Sequence, residues 1–301
     1  MMPRNDRPMT VVGRRSPKVA RVAIFTDSAA DLDPAEAAAS GIRIVPLIVN
    51  FGEQSFKAGV DLTAPDFWTR MTAADAPFPT TAASSPGDFK DAYEAAFAEG
   101  AEAIVSVHVA ETLSGTIKSA RVARDMLPDR EIHVVDSLSA SMAIGILARM
   151  GVEMADEDLP AEEIAAALEE RAQDMRIYFA LETLEYLKKG GRISGAQAAI
   201  GTLLSVKPVI MVKHGEVTTL DRVRTRSKAR DRIIELITEK PVERLAILHS
   251  DTPDIGAFRD EVLAKLPDLD PAAVSVELIG PSVGPHVGPG CVGAAILYRP
   301  S

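Results

Sequence analysis

The sequence contains one cysteine, Cys291, in 301 residues. A single thiol excludes a framework of disulfide bonds and fits the reducing interior of a cell. Runs of apolar residues are short, and none approaches the roughly 18 to 20 residues that a membrane-spanning helix needs. We therefore expect a cytoplasmic protein with no stable insertion into a membrane.

Basic residues are outnumbered by acidic ones. The chain carries 33 Lys and Arg against 43 Asp and Glu, which gives a formal net charge of -10 at pH 7. Nucleic-acid binding needs a basic face, so no nucleic-acid partner is expected. Residues 1–18 are basic, but no apolar segment follows them as it would in a secretory signal. We predict that they form a disordered lead-in.

The common motifs of catalysis are missing as well. Of the five histidines, no two have the spacing of metal ligands, and Cys291 has no partner thiol for a zinc site. The chain lacks the G-x-S-x-G turn of many hydrolases. It also lacks the G-x-x-x-x-G-K-[ST] loop that binds nucleotide phosphates. The sequence therefore predicts no catalytic residue, no metal and no cofactor.

Strands and helices alternate through the first half of the chain. The apolar runs RVAIF (21–25), AEAIVSVHV (101–109) and EIHVV (131–135) are typical of buried strands, and helical segments separate them. This order predicts an α/β fold with a parallel, doubly wound sheet in an N-terminal domain at residues 19–156. In such sheets, ligands bind at the carboxyl ends of the strands.

A second α/β domain is predicted at residues 157–301. The segment VKPVIMVKHGEVTTLDRV indicates a β-hairpin that turns at His214 and Gly215, so the sheet of this domain should be mixed. Four further segments have an expected structure: a single strand over RIVPLIVNF (43–51), a loop over PFPTTAASSPGDF (77–89), a helix over RISGAQAAIGTLL (192–204) and a loop over GPSVGPHVGPG (280–290).

Ser114, Gly115 and Thr116 lie where a buried strand is followed by a helix. Gly115 in the first turn costs about 1 kcal/mol of helix propensity relative to alanine, and its small size lets another group approach the backbone. The Ser114 hydroxyl, the amides of Gly115 and Thr116 and the helix dipole would form a small anion site for a carboxylate or a single phosphate. An ordinary helix N-cap is the alternative interpretation.

The histidines have different predicted roles. His108 and His133 lie inside strands and are expected to be structural, and His214 should be solvated in its turn. His249 ends a strand, which leaves its role open. His286 lies among glycines and prolines in GPSVGPHVGPG, and loops with a group that titrates near neutral pH are disproportionately functional.

Five segments, in this order, resemble the DegV family: TDSAADL, LSGTIKSA, VVDSLSASMAIG, LEYLKKGGRISGAQAAIGTLLSVKPVI and GPHVGPG. The resemblance extends from about Val22 to Tyr298. The members of this family, also called FakB-like, are fatty-acid-binding proteins that present an acyl chain to a fatty acid kinase. The resemblance implies two α/β domains with the fatty acid between them and its carboxylate at their junction.

The resemblance also implies roles for single residues. Ser114 would donate a hydrogen bond to the carboxylate, with Gly115 and Thr116 beside it, and His286 would lie close to it. Thr81 would be a further carboxylate ligand, although PTTAASSP departs from the family pattern P-x-T-S-Q-P-S-P, which leaves the shape of this loop and the lipid preference open. Asp27 and Ser28 would support these ligands from behind.

Three arginines, Arg192, Arg222 and Arg224, match family positions suited to docking the kinase or binding an acyl phosphate. Solvated surface charge is the alternative for them. The predicted function is a carrier without catalysis of its own, with a long-chain fatty acid as ligand and a fatty acid kinase catalytic subunit as partner. The alternative is a phosphotransfer or dihydroxyacetone-kinase-like enzyme subunit in which His286 or His249 is chemically active.

Overall fold

The computed structural model describes residues 22–193 and 206–299. The predicted lead-in at 1–18 and most of the predicted helix at 192–204 lie outside these residues. The strands are β1 (Val22–Asp27), β2 (Ile42–Val45), β3 (Ile48–Phe51), β4 (Gln54–Lys57), β5 (Thr80–Ala82), β6 (Ala103–His108), β7 (Glu131–Asp136), β8 (Met175–Ala180), β9 (Lys207–Lys213), β10 (Glu216–Val223), β11 (Val242–His249), β12 (Ser275–Leu278) and β13 (Val292–Tyr298). The helices are α1 (Pro34–Ala39), α2 (Ala64–Met71), α3 (Pro86–Ala98), α4 (Thr116–Asp125), α5 (Met142–Asp156), α6 (Ala161–Ala172), α7 (Glu185–Lys189), α8 (Arg226–Ile237), α9 (Ile255–Leu263) and α10 (Gly284–Val287).

The first sheet is parallel, with the strand order β2-β1-β6-β7. Every residue of β1 and β6 is buried because helices cover both faces of the sheet. Alternate side chains of β1 enter different cores: Ile24 packs in the cluster that contains α5 and α6, and Phe25 packs in the cluster that contains α3 and α4. The predicted α/β fold with a parallel, doubly wound sheet is confirmed.

The second sheet is mixed, as predicted. Its order is β10-β9-β8-β13-β11-β12, and its strand pairs are antiparallel except for β11 and β12. The predicted hairpin is formed by β9 and β10, which pair antiparallel around a turn at His214 and Gly215. Gly215 has φ of +73°, a backbone conformation that favours glycine.

A small antiparallel sheet, β4-β3-β5, corrects two expectations. The single strand predicted over residues 43–51 is divided at Pro46: β2 pairs with β1, whereas β3 pairs with β4 and β5. The loop predicted over residues 77–89 contains β5 and the start of α3. The loop predicted over residues 280–290 contains the short helix α10.

The two larger sheets pack against a shared apolar core. One buried cluster includes Ile24 of the first sheet and Leu297 of the second. Helix α6, which the sequence assigns to the C-terminal domain, packs on β6 and β7 of the first sheet. The domain boundary after residue 156 therefore stays a prediction. Among the described helices, each is too short or too polar to cross a membrane.

Candidate functional site

A cavity lies between the carboxyl ends of the first sheet and one face of the second. Ala29, Val109 and Ala140, which follow β1, β6 and β7, line one side, and Phe179 of β8 and Val212 of β9 line the other. The cavity has about 70 Å³ that a water-sized group can occupy, within about 630 Å³ of space that includes the part open to solvent. Since small-molecule sites usually hold roughly 300–1,000 Å³, the lining side chains must move apart to admit a long ligand.

Most of the residues that line the cavity are apolar, and a smaller set is polar. The apolar lining residues are Ala29, Leu47, Val109, Leu113, Ala140, Phe179, Leu187, Ile210, Val212, Val217, Val283 and Val287. The polar lining residues are Thr81, Ser114, Arg192, Ser282 and His286. Such a cavity suits an elongated apolar ligand with one polar or anionic end, because a long apolar lining excludes water while a few polar groups fix orientation.

Thr81 and His286 meet in this cavity. Thr81 is the central residue of β5, which pairs with β3, and its side chain is less exposed than those of Thr80 and Ala82 on either side of it. Its Oγ1 lies 3.4 Å from His286 Nε2. This contact is long for a hydrogen bond, so both groups can turn toward a ligand oxygen placed between them.

His286 lies in α10, and its Nδ1 is buried without a hydrogen-bond partner among the described residues. Burial, together with the smaller effect of the positive charge of Arg192, lowers the pKa of His286 to about 4. The imidazole is therefore neutral at pH 7 in the free protein. A negatively charged ligand group would supply a hydrogen-bond acceptor for the imidazole and a counter-charge for Arg192.

Gly190 and Arg192 flank the imidazole. A Cβ on Gly190 would overlap His286 Nδ1, so the ring lies directly against the glycine backbone. Arg192 donates from Nε to Leu113 O at 3.0 Å and from Nη1 to Gly190 O at 2.6 Å. These bonds hold its charge at the cavity, beside the residues at which an anionic end would bind.

Only one residue of the predicted anion site at the start of α4 faces the cavity. Ser114 lines the cavity, whereas Gly115 is exposed, Thr116 is fully buried, and neither lines it. The Thr116 amide donates to Ser114 Oγ at 3.2 Å, and Ser114 Oγ lies 2.9 Å from Thr116 Oγ1. The Thr116 amide, which was expected to face a ligand, is therefore already hydrogen-bonded to Ser114.

Asp27 lies behind the cavity in a buried chain of polar groups. Its carboxylate accepts hydrogen bonds from the amides of Ala29 and Val109, which line the cavity. His108 Nδ1 lies 3.0 Å from Asp27 Oδ2, and His108 Nε2 lies 2.6 Å from Ser106 Oγ. The Tyr93 hydroxyl donates to Ser106 Oγ at 2.8 Å. Asp27, Ser106 and His108 have no exposed surface, so this chain fixes the strand ends and has no access to a substrate.

Ser28 and Ser282 form a second polar contact, one that was not expected from the sequence. Their Oγ atoms lie 2.8 Å apart, and Ser28 Oγ also accepts the Leu47 amide at 2.8 Å. Ser282 lines the cavity and Ser28 does not. The segment GPSVGPHVGPG was singled out for His286, but nothing in its composition distinguishes Ser282 from an ordinary turn residue.

Arg222 and Arg224 lie away from the cavity. Arg222 is in β10, Arg224 follows that strand, and both are exposed. The structure therefore brings Thr81, Ser114, Arg192 and His286 together and leaves these two arginines on the surface. Within residues 22–193 and 206–299, no group of three or more His, Cys, Asp or Glu could hold a metal ion.

A second cavity of about 1760 Å³, including the part open to solvent, lies on the other side of Ser28. Asp31 and Glu277 are among its lining residues. Asp31 accepts hydrogen bonds from Ser141 Oγ at 2.6 Å and from the Gly280 amide at 2.9 Å. Burial raises the pKa of Asp31 to about 7, against the lowering effect of these two bonds.

Comparisons with known proteins agree with this architecture. The family model described as "Uncharacterised protein, DegV family" matches residues 21–299. A DegV domain-containing protein of Streptomyces coelicolor is 35% identical over 283 residues, which are 92% of this chain and 99% of the relative.

Two solved structures are similar over nearly the whole chain. The structure reported for fatty acid binding of a DegV family protein from Thermus thermophilus is 35% identical, with a TM-score of 0.84 over 93% of this chain and 100% of that chain. A stearic acid-binding protein of Eubacterium ventriosum is 28% identical, with a TM-score of 0.83 over 92% of this chain and 98% of that chain.

Proposed function

The chain belongs to the DegV family, and from this premise we propose that it binds a long-chain fatty acid in the cavity between its two larger sheets. One observation carries the proposal: a single cavity combines an apolar lining with the polar residues Thr81, Ser114, Arg192 and His286. Fatty-acid binding is named for the similar proteins of Thermus thermophilus and Eubacterium ventriosum.

The carboxylate would bind at the polar end. Thr81 and Ser114 each offer a hydroxyl donor, and neutral His286 can offer one ring N–H. Arg192 adds a positive charge that its two bonds to backbone carbonyls hold in place. Gly115 and Thr116 would contribute through the dipole of α4 and through the position of Ser114, since the Thr116 amide already donates to Ser114.

The acyl chain would lie along the apolar lining. Each buried methylene contributes about 0.8 kcal/mol, so the chain supplies most of the binding free energy and the polar end supplies orientation. The apolar lining residues, such as Val109 and Ile210, are buried in the free protein, so a bound acyl chain would be shielded from water.

The protein would then present the carboxylate to a separate fatty acid kinase, which supplies ATP and magnesium. Arg192, which lines the cavity, would contact the carboxylate or its phosphorylated form, and the exposed Arg222 and Arg224 would contact the kinase surface. This division of labour assigns no catalytic step to the chain itself.

Mass spectrometry of the purified protein tests the proposal. Under native conditions we expect a mass increase equal to a long-chain fatty acid, which is lost on denaturation. A covalent phosphate on His286 or His249 would instead support the phosphotransfer alternative. If no fatty acid co-purifies and none binds on addition of palmitic acid, the carrier function is wrong.

A further inference from the structure

Ser282 and His286 line the same cavity, four residues apart in the chain. The amide of Gly284 donates to Gly280 O at 2.8 Å and that of Gly288 donates to Gly284 O at 3.0 Å, so Ser282 lies in the turn that leads into α10 and His286 lies within α10.

The hydroxyl groups of Ser28 and Ser282 carry two hydrogens between them, and the hydrogen bond that joins the two oxygens uses only one. Ser28 Oγ accepts the Leu47 amide, and one hydrogen lies between the two oxygens. The two groups carry two hydrogens, and among the contacts of the described residues the second has no acceptor. If Ser28 donates, Ser282 is free to donate into the cavity; if Ser282 donates, it is free to accept there.

Ser282 is 5% exposed, and Val283 and Val287, which line the cavity with it, are apolar. Ser282 Oγ already has Ser28 as a partner, and only a ligand that itself hydrogen-bonds can use the hydrogen or lone pair that Ser282 has left. A saturated acyl chain cannot do this. A hydroxyl group can, because it both donates and accepts.

We propose that Ser282 makes this protein prefer fatty acids with a hydroxyl group close to the carboxylate, at the third carbon. The preference rests on the proposed function, since it assumes that the carboxylate binds at Thr81, Ser114 and His286. The hydroxyl oxygen of a 3-hydroxy acid is only three bonds from the carboxylate carbon, so it stays near His286 when the carboxylate binds there. Ser282 lines the same cavity four residues before His286 and can form a hydrogen bond with this hydroxyl there.

The experiment compares the affinities of palmitic acid, 3-hydroxypalmitic acid and 16-hydroxypalmitic acid for the full chain. The wild type should bind 3-hydroxypalmitic acid about 3- to 10-fold more tightly than palmitic acid, which is the usual effect of one hydrogen bond. The 16-hydroxy acid should show no such gain. Ser282→Ala should bring the ratio of the affinities for 3-hydroxypalmitic and palmitic acid close to one, because alanine leaves the 3-hydroxyl without a partner.

Ser282→Thr is the matched control, since it keeps the hydroxyl and should keep the preference. Equal affinity of the wild type for palmitic and 3-hydroxypalmitic acid would overturn the inference. So would an equal loss of affinity for all three acids in Ser282→Ala, because Ser282 would then be a carboxylate ligand. If the wild type binds none of the acids, the proposed function fails, and the hydroxyl preference fails with it.

Discussion

Gly190 lies directly against the imidazole of His286, so closely that a Cβ at Gly190 would overlap Nδ1 and come within 2.8 Å of Cε1. The two residues belong to different elements: Gly190 follows α7, and His286 lies in α10. The glycine therefore sets the position of the imidazole in the cavity, and the KKGGR segment has a role that does not depend on its charges.

Gly190→Ala should displace His286 and weaken fatty-acid binding at least 10-fold, because the ring has to move away from Thr81. The overlap involves a ring packed in α10 rather than the far end of a flexible chain, so the fold should lose some stability as well. Gly256→Ala is the control, since nothing lies within 4 Å of a Cβ there. Isothermal titration with palmitic acid, together with thermal melting of both variants, would measure the two effects. Unchanged affinity in Gly190→Ala would show that His286 does not contact the ligand.

Ser114→Ala removes one proposed carboxylate ligand. A hydrogen bond to a charged group contributes about 1.5 to 3 kcal/mol, so affinity should fall by roughly 10- to 100-fold. The melting temperature should change little, although the Thr116 amide loses its acceptor. Ser119→Ala, in the same helix and not among the cavity residues, should bind normally. If Ser114→Ala melts much earlier and binds normally once folded, Ser114 serves only the start of α4.

Fatty-acid affinity should depend on pH through His286. Its pKa is about 4 in the free protein, and an adjacent carboxylate raises the pKa of the complex because it favours the imidazolium. Between these two values the complex holds one more proton than the free protein. Affinity should therefore fall up to tenfold per pH unit as the pH rises from about 4 to the pKa of the complex, and it should then level off. Titrations from pH 5 to 9 should show this slope in the wild type and its loss in His286→Gln; parallel curves would assign the anion site to Thr81 and Ser114 alone.

Asp31 should make the protein less stable as the pH rises. Its pKa is about 7 in the folded state, against an ordinary aspartate value of 3.8. The folded state therefore holds a proton that the unfolded chain releases between about pH 4 and 7, and the free energy of unfolding falls across this range by an amount on the order of a few kcal/mol. Asp31→Asn should remove this slope and should be more stable than the wild type at pH 8.

Asp33→Asn is the control for this measurement, since Asp33 is an exposed cap whose Oδ1 accepts the amides of Ala35 and Glu36, and asparagine caps equally well. Urea unfolding at pH 5, 6, 7 and 8 would give the slopes. A wild type whose stability does not change from pH 5 to 8 would show that Asp31 is ionised in the fold.

Arg224→Glu should weaken the proposed interaction with the kinase but not the binding of the fatty acid. Arg224 is exposed and lies outside the cavity, so its charge can act only at the surface. Acyl-phosphate formation would be measured with ATP and an added fatty acid kinase catalytic subunit, and the isolated protein should form none. Arg259→Glu, on α9, is a charge-matched control. Equal rates for both variants would assign Arg224 to solvated surface charge.

The parts of the fold with strong local signals could be predicted from the sequence. The buried strands β1 and β6 are continuous apolar runs, and the turn of the β9–β10 hairpin contains the glycine that its positive φ favours. The small sheet was missed because β5 is three residues long and only Thr81 is turned inward. No period can be recognised in so short a segment.

The candidate site was predictable only where a motif marks it. Ser114 and His286 were marked by their local sequence and Thr81 by the family resemblance, whereas Ser282 has no signal apart from its position four residues before His286. The cavity lining could not be predicted at all: Val109 and Ile210 are buried to the same extent as ordinary core residues. A residue that lines a cavity and a residue that fills a core are chosen by the same hydrophobic effect.

Thr81 and His286 are 205 residues apart in the chain. At roughly 5 to 20 residues per second, a ribosome adds His286 about 10 to 40 s after Thr81. A nascent chain can therefore complete the first sheet well before the polar end of the cavity exists. If the chain binds a fatty acid as proposed, loading has to follow synthesis, because Thr81 waits for His286 to be added.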